Sequence, residues 1–150
     1  MKSFALPGSI FCGCVLLVVV QVTMCSGAIT KSADKSPRIV MPKTGTIPVR
    51  LGNNFNISCV AEPRFADKSF SIIYWLVNNT FIETTYPHGR VKEGTERSYT
   101  ENGKYYIMRS LTFAKVTQPD LNCNFTCVVI TPAGQDSKIV VLGSELKLKT

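Results

Sequence analysis

Phe70-Ser71-Ile72-Ile73-Tyr74-Trp75-Leu76 is the stretch whose reading decides the fold: it holds the only tryptophan of the chain and lies between Cys59 and Cys127. β-Branched and aromatic residues favour a pleated backbone, and Asn78-Asn79 just beyond supplies turn chemistry, so the run predicts a strand. Successive side chains of a strand point to opposite faces. Ser71, Ile73, Trp75 and Val77 then share one face, and Phe70, Ile72, Tyr74 and Leu76 share the other. Both faces are largely apolar, so one can be a core and the other must be covered by something.

Working outward, Phe55, Ile57 and Cys59 alternate with Asn56, Ser58 and Val60 after the Gly52-Asn53-Asn54 turn, which predicts a second strand with Cys59 inward. Arg38 to Met41 and Thr46 to Leu51 read as short strands, and their flanking or internal Pro42 and Pro48 suit sheet edges. Phe81-Ile82-Glu83-Thr84-Thr85-Tyr86 is the expected hairpin partner of the opening strand, while residues 90–103 offer at most one short exposed strand. Tyr105 to Phe113, Phe125 to Ile130 and Lys138 to Leu142 continue the pattern, with a corner at Thr117-Gln118-Pro119-Asp120. No amphipathic helix is visible. Many short strands separated by turn signals predict an all-β antiparallel sandwich.

Cys59, Trp75 and Cys127 sharpen that prediction. An immunoglobulin-like β-sandwich joins its second and sixth main strands by a disulfide and packs the tryptophan of the third against it. One departure stands out: the position two before Cys127, often the tyrosine that anchors the corner by its hydroxyl, is Phe125. Cys123 is left either as a spare buried thiol or as one end of a second, or intermolecular, bridge; Cys25 is a partner only if it is retained.

Residues 1–27 carry a single charge, Lys2, then an apolar run from Ile10 to Val22, then Ser26, Gly27 and Ala28. This predicts a secretory signal peptide cut after Gly27 or Ala28, since the apolar run is too short for a membrane span. A flexible arm (28–37), one immunoglobulin-like domain (38–143) and a C-terminal tail (144–150) follow. The mature chain is expected to be a secreted, extracellular glycoprotein with no membrane span. The formal net charge of +7 is scattered, with no basic run. It points to solubility and weak polyanion binding, not to nucleic acid.

Catalysis finds no support. His88 is the only histidine, and no nucleophile, acid–base pair or glycine-rich phosphate loop accompanies it. With one histidine and cysteines committed to a bridge, neither a metal site nor a cofactor is expected. Sequons at Asn56, Asn78 and Asn124 are candidate glycan sites. The outward face of the opening strand, extended by Val128, Ile130 and Phe81, reads as a partner site or as a surface for a second copy in an adhesion or receptor-ectodomain module.

The same strand, with Asn78, Phe81-Ile82-Glu83, Gly89-Arg90, Glu93-Gly94 and Asn124-Phe125-Thr126-Cys127-Val128, resembles the interleukin-18-binding proteins over residues 46–142. These are soluble single-immunoglobulin decoys of vertebrates and poxviruses. The resemblance implies immunomodulation: a decoy receptor that binds interleukin-18, or a related cytokine of the interleukin-1 family, and occludes its receptor-binding surface. It implies Phe70, Ile72, Tyr74 and Phe81 as apolar anchors, with Glu83 and Glu93 as charge contacts. Some members have a second cysteine pair. Glu62 and Met108 stand at the aligned positions, so that bridge is absent.

Overall fold

The computed structural model describes residues 35–64 and 70–145. The predicted signal peptide, residues 28–34 of the expected arm, residues 65–69 and the last five residues lie outside the described residues. In chain order the elements are β1 (Arg38–Met41), β2 (Gly45–Val49), β3 (Phe55–Glu62), β4 (Ile72–Val77), β5 (Thr80–Phe81), the single helical turn α1 (Ile82–Thr85), β6 (Val91–Glu93), β7 (Arg97–Glu101), β8 (Lys104–Phe113), β9 (Asn124–Thr131) and β10 (Gly134–Ser144). A 3-10 turn, Gln118–Asn122, joins β8 to β9.

The strands form two sheets. The first runs β1-β3-β8-β6, with β7 also on β8; the second runs β2-β10-β9-β4-β5. All pairings are antiparallel except β2 with β10. The chain crosses from one sheet to the other between β1 and β2, and both are edge strands, where the missing N–H of a proline leaves no gap in a ladder.

Cys59 on β3 and Cys127 on β9 are joined across the sheets, with their Cα atoms 6.2 Å apart. Trp75 lies directly opposite Cys127 in the ladder and is fully buried. Its indole Nε1–H donates to Arg109 O at 3.1 Å, so the tryptophan's one polar atom is satisfied within the core. Ile73, Val77, Leu111, Phe113, Phe125 and Val129 fill the space around it, and the Phe113 and Phe125 rings meet edge to face at 5.1 Å. Inward and outward residues of β4 alternate as the sequence predicts, although the strand itself begins at Ile72.

Two segments differ from expectation. Phe81 to Tyr86 is not a full strand: only Thr80–Phe81 pairs with β4, and the chain then coils once through Ile82–Thr85. Ile82 is completely buried, and Tyr86 N–H closes the turn on Ile82 O at 2.8 Å. A continued strand would have stayed with the second sheet, whereas the chain must cross to the first to form β6. Residues 90–103 hold two strands, not at most one, because Val91 is buried and seats β6 against Phe113 of β8.

Candidate protein-binding face

The hairpin β4–β5 closes through Asn78 and Asn79, both in the left-handed region at φ 46° and 65°. Asparagine tolerates that region better than most residues, and two such residues in succession match the twist of a tight hairpin. Asn78 N–H donates to Asn124 O, and Asn78 Oδ1 accepts from Asn124 N–H, both at 2.9 Å. The turn is thereby tied to the start of β9. The next residue to face outward, Phe81, stands opposite Leu76.

The ladder places the outward side chains in rows. Ile72 faces Ile130, Tyr74 faces Val128, and Leu76 lies between Phe81 and Thr126. Tyr74 and Phe81 touch, with ring centroids 5.9 Å apart. Ile72 and Phe81 are 60% and 59% exposed, which for large apolar side chains on one sheet face is far from what burial favours. Phe70, just ahead of the strand, is equally open. Ile139 of β10, opposite Thr126, extends the surface by one strand. Sequence reasoning missed Ile139; its signal was the alternation of Ile139 and Val141 with the buried Val140 and Leu142.

The two acidic candidates part company. Glu83 is exposed on α1, two residues after Phe81 at the same edge of the sheet. Glu93 does not stand on this face: its side chain is only 10% exposed. The carboxylate accepts from Trp75 N–H and, at 2.9 Å, from Arg109 Nη1, which ties β6 to β4 and β8. Burial raises its pKa above the ordinary carboxylate value, against the opposing pull of Trp75 N–H and Arg109. A carboxylate holding three strands in place is not available to a partner.

A second polar cluster anchors the corner that Phe125 cannot. Asp120, 1% exposed, accepts from both Arg90 Nη atoms at 2.8 Å, from Tyr86 Oη at 2.9 Å, from Thr117 N–H at 2.7 Å and from Thr117 Oγ1 at 2.9 Å. The Arg90 guanidinium also lies over the Tyr86 ring, 5.0 Å from its centroid. Burial pushes the Asp120 carboxyl up, but Arg90, Thr117 and Tyr86 together bring it below the ordinary range. Burial and the bond to Asp120 raise the Tyr86 hydroxyl in turn. Tyr86 thus supplies, from another segment, a hydroxyl anchor that Phe125 lacks.

Of the remaining candidates, Asn56, Asn78 and Asn124 are all exposed. Cys123 is a half-buried free thiol, 3.5 Å from Pro119 O. Among the described residues no group of three or more histidine, cysteine or acidic side chains could hold a metal, and no helix is long and apolar enough to cross a membrane.

The immunoglobulin-domain family model matches residues 45–138. This chain belongs to the immunoglobulin family. Rat interleukin-1 receptor type 2 is 41% identical over 101 residues, which are 67% of this chain and 24% of that receptor. The human receptor of the same name is 35% identical over 67% of the chain and 25% of the receptor. Mouse X-linked interleukin-1 receptor accessory protein-like 2 is 34% identical over 73% of the chain and 16% of its own length. The chain thus spans about a quarter or less of the curated relatives it matches.

Among solved structures, a complex of Dpr2 Ig1-Ig2 with DIP-Theta aligns at TM-score 0.53 with 23% identity, over 73% of this chain and 32% of that one. It carries the fold alone. The immunoglobulin domain is homologous to interleukin-1 receptor type 2 and related members of that receptor family.

Proposed function

We propose that this immunoglobulin domain is a secreted decoy of the interleukin-18-binding protein kind, which occupies the receptor-binding surface of interleukin-18 and does no chemistry. The observation that carries the reading is the exposed aromatic and aliphatic face of β4, β5 and β9. A domain with a complete core has no structural need for Phe70, Ile72 and Phe81 to stand in water. Homology to receptors named for interleukin-1 supports a cytokine of that family as the occupant. Tyr74 and Phe81 form the central anchor, Phe70 and Ile72 flank it, and Glu83 meets a basic side chain at its rim. Aromatic anchors of this kind dominate binding energy, while rim charges contribute mainly to encounter and register.

Surface plasmon resonance against a panel of interleukin-1-family cytokines tests the reading. Capture of interleukin-18 is the expected result. Capture of interleukin-1β alone would retain a decoy but reassign its ligand, and capture of no member would overturn the proposal. Sedimentation of the same protein separates a cytokine decoy from an adhesion module, which would self-associate through this face.

A further inference from the structure

The outer face of the first sheet carries a feature that cytokine binding does not use. Between β6 and β7 the chain bulges away from β8: Glu93 pairs with Leu111 and Arg97 with Met108, so the intervening residues outnumber those they face. Gly94 keeps one bond to β8, its N–H to Ser110 O at 2.8 Å. A Cβ at Gly94 would lie 2.4 Å from Ser110 Oγ, so a larger residue there would have to turn the Ser110 hydroxyl away. The bulge walls a groove of about 300 Å³ whose lining is Ser58 and Ser110 on the strands, Thr95 and Arg97 on the bulge side, and Met108. Asn56, the acceptor of the sequon Asn56-Ile57-Ser58, lines the same groove.

We propose that this groove seats the first sugar of an N-linked glycan on Asn56. The proposal rests on passage through the secretory pathway, which the decoy reading also requires. In the transfer, Asn56 Nδ2 bonds to C1 of N-acetylglucosamine and gives up one proton. The bond from C1 to the diphosphate of a lipid-linked oligosaccharide breaks, and the lipid diphosphate leaves. The second Nδ2 proton stays and can keep the bond that Asn56 Nδ2 donates to Thr112 Oγ1 at 3.3 Å, which orients the amide along the sheet. A sugar ring offers hydroxyls around its rim and C–H groups on its faces. Arg97, Thr95, Ser58 and Ser110 match the former, and Met108 matches the latter. Because Asn56 and the groove belong to the first sheet, the glycan would lie on the side of the domain away from Phe81 and Tyr74.

The test uses the full domain secreted from vertebrate cells behind a standard leader, so that failure of the natural leader and failure of this proposal are separable. Glycopeptide mass spectrometry should find Asn56 occupied. Release of that glycan by peptide N-glycosidase from native protein, relative to denatured protein, should be slow in the parent and about five- to tenfold faster in Arg97→Ala, the factor expected for losing one or two hydrogen bonds. Arg97 is exposed on an edge strand, and an unchanged melting temperature verifies the variant's fold. Amide NMR shifts at Ser58, Gly94 and Ser110 should differ between glycosylated protein and Asn56→Gln. An empty Asn56, a release ratio that Arg97→Ala leaves unchanged, or shifts confined to Asn54 and Phe55 would each overturn the seat.

Discussion

The two outer faces of the sandwich are built by the same alternation and differ in chemistry. Around the first sheet's sequon Asn56 faces Thr112, Ser58 faces Ser110 and Lys92 joins the row, so this part of the surface is polar. On the second, Ile72 faces Ile130 and Tyr74 faces Val128. Their inner faces are alike, both closing on Trp75 and the disulfide. Stability therefore explains the interior of each sheet and the exterior of only one. The apolar exterior is the part of the molecule that folding leaves unexplained, and it is where binding should register.

That contrast can be broken in graded steps. Trp75→Ala empties the shared interior and should cost about 3–5 kcal/mol of stability by chemical denaturation, taking cytokine binding with it. Asp120→Asn leaves Arg90 half-buried without its charge partner and should cost up to about 3 kcal/mol, with binding retained wherever the protein is folded. The same carboxyl gives a pH signature. Its folded pKa lies below its unfolded value, so its contribution is fully present above the unfolded value near 4 and is lost as pH falls through the lower folded one. Denaturation of the parent should steepen with acid in that window, and Asp120→Asn should flatten it.

Phe81→Ala and Tyr74→Ala are expected to do the reverse of Asp120→Asn: a loss of about 2 kcal/mol in binding by surface plasmon resonance, with little change in melting temperature. Unchanged affinity in both would show that the apolar exterior is not the site. The smallest effect belongs to the polar exterior. Lys92→Glu, exposed on the first sheet, should alter stability and binding by less than about 0.5 kcal/mol each. A large binding loss there would abolish the distinction between the faces.

Much of this could be read from the chain because the signals were local. The alternation of β4 assigned Ile73 and Trp75 inward and Ile72 and Tyr74 outward, and the order Cys59, Trp75, Cys127 selected the sandwich. What escaped depended on distant segments. Glu93 looks like a surface acid beside Lys92 until β6 is placed against β8, which brings it to Trp75 N–H and Arg109. Tyr86, Arg90 and Asp120 carry no motif that joins them, and only the corner between β8 and β9 brings the last to the other two. The helical turn at Ile82–Thr85 was hidden because Ile82 is inward in a strand as much as in the turn; the direction of the chain beyond it decided between them.

The Glu93 carboxylate has one more consequence. β5 pairs with β4 only at Leu76 and Val77, so the rest of β4 has no neighbouring strand on that side among the described residues. At Trp75 the carboxylate takes the place of the carbonyl that such a strand would offer. An intruding strand from another molecule would have to displace a buried ion pair to register there. A side chain carried by the first sheet thus caps the open edge of the second, where an unoccupied backbone N–H would otherwise offer a template for the edge-to-edge pairing by which exposed strands aggregate.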